Sequence, residues 1–221
     1  MRYAIRPMRM KDVPQANEID RECFPTQWPP PSYRWELLLG RLSHYLVAWE
    51  AEAKRPAEHQ PTVRQGASPQ RVSRFNQFLE RARGFLSAGE ASPSNERIVG
   101  LIGLWIMGDE AHLTTIGVRE AYRRQGIAEL LLISAIDLAV MRNARVVTLE
   151  VRASNFAALA LYEKYGFTKV GLRQGYYTDN REDAVIMSTD VITSPSFQSH
   201  IQQLKEAHAQ RRGPSHRQID G

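Results

Sequence analysis

The sequence predicts a mixed α/β domain in which helices flank one central sheet. Short strand-like apolar runs alternate with segments of helical periodicity from residue 3 to residue 190. The chain has 221 residues, 43% of them hydrophobic, which is enough for one domain with a substantial core. Two of the strand patterns are separated only by Gly108-Asp109, which indicates a tight antiparallel connection.

The first part of the chain begins with a strand, followed by two helices and a second strand. Asp12 is a suitable N-cap for a helix that carries apolar residues at helical spacing as far as Cys23. The stretch FPTQWPPPS breaks this helix, and Gly40 ends the next one. The predicted elements cover 3–8, 12–23, 33–40 and 44–50.

An insertion is predicted at 51–96, where the composition shifts to Pro, Ser, Ala, Gln and charged residues. Within it, apolar residues at a spacing of three or four predict one amphipathic helix at 71–86, with Phe75, Phe78 and Phe85 on its apolar face. If 44–50, 97–107 and 110–118 are successive antiparallel strands, the insertion emerges at the end of the sheet where 110–118 finishes. We therefore expect this helix to form a flap beside an acceptor groove; a solvent-facing excursion is the alternative.

The second part of the chain contains five further strands and two helices. Gly166 is a typical C-cap for the second of these helices. The strands are predicted at 97–107, 110–118, 145–151, 167–172 and 184–190, and the helices at 125–142 and 154–166. We expect one domain over 1–192, and a polar, basic tail at 193–221 with one helix to about Arg211 and a disordered end.

Composition and charge exclude several classes of protein. No apolar run is long enough for a transmembrane helix, and the first residues lack the apolar stretch of a secretory signal. A single cysteine and the absence of paired Cys/His patterns argue against disulfides and a metal site, so we expect a cytoplasmic protein. Of the net charge of +5, +4 lies in 52–96 and 193–221, so we do not expect the core to bind nucleic acid or membranes.

The segment RRQGIA (123–128) joins the strand at 110–118 to a long helix without an ordinary capping residue. Helix N-termini present unpaired N–H groups and about half a positive charge, which suits an anion. Gly126 allows close approach of a ligand, and Arg123 and Arg124 add charge. The spacing matches neither a Walker A loop nor a dinucleotide fingerprint. An anion cradle and an ordinary surface turn both remain open on this motif alone.

Three motifs together resemble those of the GNAT N-acetyltransferases. RRQGIA resembles the acetyl-coenzyme A loop of that family, and LEVRASNFAALALYEKYGF (149–167) resembles its second signature. YYTDNREDAVIM (176–187) is similar to the closing hairpin of the ribosomal-protein alanine N-acetyltransferase (RimI-type) branch. The resemblance covers 3–50 and 97–190. It implies the GNAT fold, with a mostly antiparallel sheet of six or seven strands and a splayed parallel pair at its centre, and acetyl-coenzyme A as cosubstrate with no metal.

The resemblance also implies which residues hold the cofactor. Asn155 would bond the pantetheine arm, and Gly117 would permit a bulge that splays its strand from 145–151 and frees backbone amides. The implied cofactor-binding residues are Ile116, Gly117, Val118, Arg123, Arg124, Gln125, Gly126, Ile127, Ala128, Glu129 and Asn155.

Two residues are candidates for proton transfer. Glu150 lies near a strand end and points away from the face of Leu149 and Val151, and the resemblance implies a general base at this position. Tyr162 lies two helical turns after Asn155, and the resemblance implies that its phenol protonates the departing thiolate. The alternatives are a solvated glutamate and a core aromatic, the role that we expect for Tyr165.

The acceptor side is less well defined by the sequence. Tyr176 and Tyr177 are expected in the loop of the last hairpin, where they would bind the acceptor peptide. The resemblance implies acetylation of a protein N-terminus, such as that of a ribosomal protein. Acetylation of a small amine or of lysine, and a non-catalytic acetyl-coenzyme A-binding module docked on RNA or a ribosome, are the alternatives.

Overall fold

A computed structural model describes residues 2–26, 32–51 and 96–220 of the chain. The predicted amphipathic helix at 71–86, with Phe75, Phe78 and Phe85, lies outside these residues. The flap hypothesis depends on this helix and therefore stays a prediction.

The structure contains seven strands and five α-helices in the described residues. The strands are β1 (Tyr3–Pro7), β2 (Ser43–Glu50), β3 (Ile98–Met107), β4 (Glu110–Val118), β5 (Val146–Arg152), β6 (Phe167–Tyr177) and β7 (Glu182–Thr189). The helices are α1 (Val13–Cys23), α2 (Tyr33–Leu39), α3 (Ile127–Met141), α4 (Phe156–Lys164) and α5 (Pro195–Arg212).

All seven strands form one sheet in the order β1-β2-β3-β4-β5-β7-β6. Neighbouring strands are antiparallel except for β4 and β5, which are parallel. The predicted fold class, a mixed and mostly antiparallel sheet with one parallel central pair and flanking helices, is confirmed. A parallel pair needs a crossover connection, which α3 supplies.

Helices cover both faces of the sheet. Along β2, Leu46 and Ala48 belong to the core under α3, whereas Tyr45 and Val47 belong to a second core under α1 and α2. This division follows from the alternation of side chains along a strand. No helix of the described residues is long and apolar enough to cross a membrane.

The parallel pair separates before its strands end. Pairing runs from Glu110–Val146 to Leu113–Leu149, and the rest of β4 and β5 diverge. A register shift against β3 places a bulge on β4 at Thr114, between its pairs at Leu113 and Thr115. The splay was predicted, but the expected bulge at Gly117 is wrong. Gly117 instead allows α1 to approach, since a Cβ there would lie 3.1 Å from Ile19 and 3.3 Å from the sulfur of Cys23.

The ends of the insertion lie where the sequence predicted. Ala48 pairs with Gly100, and Gly100 pairs with Val118, so β2 ends and β3 begins at the edge of the sheet where β4 finishes. The N–H of Glu50 donates to the carbonyl of Arg97 and keeps the two ends adjacent. The insertion is therefore rooted at the same end as the RRQGIA segment.

The C-terminal tail is ordered and packed on the domain. Phe197 and Ile201 of α5 belong to the main core. After α5 the chain runs beside β1, where the N–H of Ile5 donates to the carbonyl of His216 and the N–H of Gln218 donates to that of Ile5. The helix was predicted, but the expected disordered end is wrong, because its backbone finds partners on the edge of the sheet.

Candidate active site

Glu150 lies on β5, just beyond the last residue that pairs with β4. Leu149 and Val151 are buried in the core, so Glu150 points to the opposite face, as predicted. One carboxylate oxygen lies 3.0 Å from Nε2 of His112, and the other lies 3.1 Å from the guanidinium of Arg173. The Glu150 side chain is only 11% exposed. A carboxylate in this position is held between two nitrogen groups at the mouth of the splay.

A row of polar side chains continues from Glu150 along the same face of the sheet. Nδ1 of His112 lies 2.9 Å from the hydroxyl of Thr148, which in turn donates to the carboxylate of Glu110. The sequence analysis missed His112 and Arg173 as partners of Glu150. The alternation of side chains along β4 does place His112 on the polar face of the sheet. The contact between His112 and Glu150 also depends on the register that pairs His112 with Thr148, which the sequence does not reveal.

Tyr162 of α4 is buried beside the sheet, 4% exposed, with its ring centroid 5.6 Å from that of Phe167. Burial raises the pKa of its phenol, and the neighbouring Tyr177 contributes to the rise. Within the described part of the chain no group hydrogen-bonds its hydroxyl. Tyr165, by contrast, is fully buried and donates to Glu129 at 3.0 Å, so the expected role of Tyr165 as a core aromatic is confirmed.

Tyr176 and Tyr177 close β6 instead of lying in the hairpin loop, so that expectation is wrong. Strand pairing extends to Tyr177–Glu182, after a register shift that accommodates Gly175 at a φ of 58°. The guanidinium of Arg152 lies 3.9 Å from the centroid of the Tyr177 ring. Burial raises the pKa of Tyr177 to about 12; the charge of Arg152 opposes this rise, and that of Glu150 adds to it. Tyr177 therefore lies within electrostatic reach of both candidate catalytic residues.

The tip of the β6–β7 hairpin is tied to the rest of the site by polar contacts. The guanidinium of Arg152 lies 2.9 Å from Asp179 and 3.2 Å from Glu182. The hydroxyl of Thr26, which follows α1, donates to Asp179 at 2.7 Å. The hairpin and the end of α1 therefore meet at the edge where β5 finishes.

The RRQGIA segment forms a cradle at the N-terminus of α3, within two residues of the predicted helix start. Gly126 is the N-cap with a φ of 81°, and no side chain caps the helix. Arg124 also has a positive φ, of 63°. Arg123 donates to the carbonyl of Val118 at 3.4 Å, and Tyr3 donates to the side chain of Gln125 at 2.5 Å. Uncapped amides beside a splay suit a ligand with phosphates at one end and an extended amide arm at the other.

The remaining predicted cofactor residues have partners within the chain. The Glu129 carboxylate lies 2.6 Å from Lys164 and 3.1 Å from Arg211. Burial opposes its ionisation, but its hydrogen bonds with Lys164 and Tyr165 outweigh that effect and lower its pKa. Asn155 is the N-cap of α4 and accepts from the N–H of Ala158 at 3.2 Å. Because its carboxylate is already paired, Glu129 can offer a ligand only its backbone. Asn155 can offer its side-chain NH₂ group, since its side-chain oxygen caps the helix.

Ile116 and Ala128 pack partly buried against the core, and Val118 and Ile127 are buried within it. These residues, if they bind a cofactor, therefore do so through the backbone.

Comparison with known proteins gives a consistent result. The Acetyltransferase (GNAT) family matches residues 13–167. A Bacillus subtilis protein named "Putative ribosomal protein bS18-alanine N-acetyltransferase" is 32% identical over 184 residues, which cover 83% of this chain and 93% of that protein. The ribosomal protein bS18-alanine N-acetyltransferase of Escherichia coli K12 is 48% identical over 85 residues, 38% of this chain and 57% of the enzyme.

A solved structure supports the same relationship. The crystal structure of the ribosomal-protein-S18-alanine N-acetyltransferase from Escherichia coli superposes with a TM-score of 0.57 and 26% identity. The superposition covers 86% of this chain and 94% of that one.

Proposed function

The chain belongs to the GNAT family of acetyltransferases, and we propose that it acetylates the N-terminal α-amine of a protein, the alanine of ribosomal protein bS18. The observation that carries this proposal is the position of Glu150, a largely buried carboxylate at the mouth of the splayed parallel pair. The names of the Bacillus subtilis and Escherichia coli relatives support the choice of acceptor.

The cradle and the splay fit acetyl-coenzyme A. When bound, acetyl-coenzyme A supplies an acetyl group activated as a thioester. The uncapped amides at the start of α3, with Arg123 and Arg124, would hold its pyrophosphate. The stretch of β4 beyond Leu113, which includes Ile116–Val118 and no longer pairs with β5, and the side-chain amide of Asn155 would hold the pantetheine arm. A backbone N–H of the same stretch of β4 would stabilise the oxyanion.

Glu150 would act as the general base. A protein α-amine has a pKa of about 7.7–8.0, so most of it must lose a proton before it can attack at neutral pH. The hydroxyl of Thr148 donates to Glu110, so it accepts from Nδ1–H of His112. In the neutral imidazole, Nε2 of His112 then presents a lone pair to the Glu150 carboxylate 3.0 Å away, so a proton that Glu150 accepts can lie between these two atoms. A proton taken from the amine by Glu150 is therefore shared with His112.

Arg173 and Tyr162 complete the proton transfers. The guanidinium of Arg173 lies 3.1 Å from the Glu150 carboxylate and holds it in place at the splay. Tyr162 would give its proton to the departing sulfur as the C–S bond breaks and the new C–N bond forms. Its raised pKa keeps the phenol protonated at neutral pH, and its hydroxyl has no other partner in the part of the chain that the structure describes.

Tyr176 and Tyr177 would bind the acceptor. Tyr177 lies beside Arg152 and near Glu150, and Tyr176 is 44% exposed next to it. An extended peptide N-terminus could enter between these rings and the end of α1, and its amine would reach Glu150.

The acceptor is tested with synthetic peptides. The full-length protein is incubated with labelled acetyl-coenzyme A and a peptide library that includes the N-terminus of bS18, and the products are sequenced by mass spectrometry. We expect acetylation of the α-amine of peptides that begin with alanine. Matched controls carry a blocked N-terminus with free lysines. Acetylation of lysine or polyamines at an equal or higher rate would overturn the proposed acceptor.

A further inference from the structure

The C-terminal helix α5 lies outside the part of the chain that matches the family, residues 13–167, yet it is fixed firmly on the domain. Phe197, Ile201 and His208 lie on one helical face and are at most 6% exposed. Lys205 and Arg217 both pair with Asp137 of α3, at 2.5 Å and 2.7 Å. Apolar burial and charge pairs therefore both anchor α5 and the residues that follow it.

The last turns of α5 reach the cradle. Nε2 of His208 lies 3.0 Å from the carbonyl oxygen of Gly126, and Arg212 donates to the carbonyl of Arg124 at 3.0 Å. Both acceptors belong to the residues with positive φ in the cradle, 63° at Arg124 and 81° at Gly126. A non-glycine residue in this conformation is unfavourable and persists only where its surroundings hold it.

The planarity of the peptide unit links these carbonyls to the cradle. In a trans peptide, the C=O of one residue and the N–H of the next point in opposite directions. The carbonyl of Arg124 points toward α5, so the N–H of Gln125 points away from it. The carbonyl of Gly126 accepts from the N–H of Leu130 in the first turn of α3 and also lies against Nε2 of His208, so α3 and α5 together fix the direction of the N–H of Ile127. Donors on α5 thereby help to fix the direction of two amides that they do not touch, that of Gln125 and, together with α3, that of Ile127.

We infer that α5 positions the anion cradle, with His208 and Arg212 as positioning residues that orient the amides of Gln125 and Ile127 toward the pyrophosphate of acetyl-coenzyme A. This inference rests on the proposed function, which assigns the cradle to that ligand. It makes the C-terminal segment part of the cofactor site although it lies beyond the family match.

Binding of coenzyme A to full-length variants tests the inference. Calorimetry should show roughly five- to tenfold weaker binding for His208→Ala and for Arg212→Ala, the usual effect of one lost hydrogen bond. Two variants on the same helix are matched controls and should remain within about twofold. His200→Ala removes a similar contact, to the carbonyl of Lys164 at 2.9 Å, about two helical turns before His208 and with no bond to the RRQGIA backbone. Arg211→Ala removes the adjacent positive charge, which pairs with Glu129 instead.

Two further measurements separate positioning from general destabilisation. His208→Gln retains an N–H donor and should restore most of the coenzyme A affinity. The KM for acetyl-pantetheine, which lacks the pyrophosphate, should not change in any variant, whereas the KM for acetyl-coenzyme A should rise in the alanine variants of His208 and Arg212. Thermal unfolding checks that each variant is folded. If His208→Ala is not folded, the coenzyme A affinities of His208→Gln and Arg212→Ala decide the test.

Two results would overturn the inference. One is coenzyme A affinity in His208→Ala and Arg212→Ala within twofold of wild type; the other is an equal loss in the His200→Ala control. If the wild-type protein itself binds no coenzyme A, the proposed function fails instead, and the two failures are therefore distinct.

Discussion

On the cofactor side of the site, the buried face of a docked helix holds the backbone, whereas on the acceptor side partly exposed ion pairs hold the tip of a hairpin. His208, which contacts the cradle, is 3% exposed. The side chains of Arg152 and Asp179, which tie the hairpin to β5, are 28% and 24% exposed. Exposed ion pairs are screened by salt, whereas the partly buried contact of His208 with a neutral carbonyl is much less affected.

The difference separates two tasks. The pyrophosphate of acetyl-coenzyme A is the same in every turnover, so a rigid cradle is an advantage. The proposed acceptor is a protein segment that must enter and leave, and a hairpin tip held by weak exposed pairs can adjust to it. The two sides meet at Glu150, which lies between them, and changes there should affect chemistry more than binding.

The largest effect is therefore expected at the residues between the two sides. Glu150→Gln and Tyr162→Phe should each reduce kcat by a factor on the order of 10²–10⁴, the contribution of one positioned proton-transfer group. Binding of coenzyme A should stay close to that of wild type. Steady-state kinetics and calorimetry measure both quantities.

Tyr165→Phe is the matched control for Tyr162→Phe, since Tyr165 is a buried tyrosine near the same helix with a structural partner, Glu129. It should retain kcat within about threefold. If Glu150→Gln or Tyr162→Phe behaves like this control, that residue has no part in proton transfer.

A smaller effect is expected when the cofactor side is strained. Gly126→Ala should weaken coenzyme A binding about tenfold, because an L-residue at a φ of 81° is unfavourable and its Cβ would lie 3.0 Å from Nε2 of His208. Such a side chain would point toward α5, so displacement of α5 contributes to the loss.

Gly108→Ala is the control, since Gly108 has a φ of 61° with no atom within 4 Å of an added Cβ. It imposes a similar backbone strain in the β3–β4 turn, and coenzyme A affinity should not change. Equal losses of affinity in both variants would show that general destabilisation explains the result.

The smallest effect is expected on the acceptor side. Arg152→Gln should raise the KM for the acceptor peptide roughly three- to tenfold with coenzyme A affinity unchanged, because it frees the tip of the hairpin, at Asp179 and Glu182, from β5. Hydrogen bonds from Ser154 lower the pKa of Glu182 to about 2, so the carboxylate partner of Arg152 stays charged at neutral pH. Added salt should therefore raise the wild-type acceptor KM and have less effect on the variant.

Arg145→Gln removes an exposed pair, with Asp109, at the opposite end of the sheet and is the matched control. Its acceptor KM should equal that of wild type at every salt concentration. An acceptor KM in Arg152→Gln that also equals wild type would contradict the assignment of the hairpin to the acceptor side.

The sequence predicted those features of the site that depend on a local pattern. The direction of Glu150 follows from strand alternation, and the start of α3 follows from the RRQGIA segment. The pairing of His112 with Glu150 could not be predicted, because it depends on the register between two strands that are 36 positions apart in the chain, as in the His112–Thr148 contact. The bulge at Gly117 was wrongly expected because a glycine also serves close helix packing.

The docking of α5 could have been predicted in part. Phe197, Ile201, Leu204 and His208 recur at helical spacing, and all but Leu204 are buried. The polar composition of the tail obscured this stripe. Its contact with the cradle depends on where the chain returns in space, which no local pattern specifies.

The segment after α5 also changes how this sheet could assemble. An unpaired edge strand is a template for another chain, and a sheet with two such edges can add copies without limit. Here the C-terminal segment occupies the outer edge of β1 at Ile5, whereas no described residue pairs with the outer edge of β6. With the middle of the β1 edge covered in this way, two copies joined edge to edge through β6 would form a closed pair instead of a fibre.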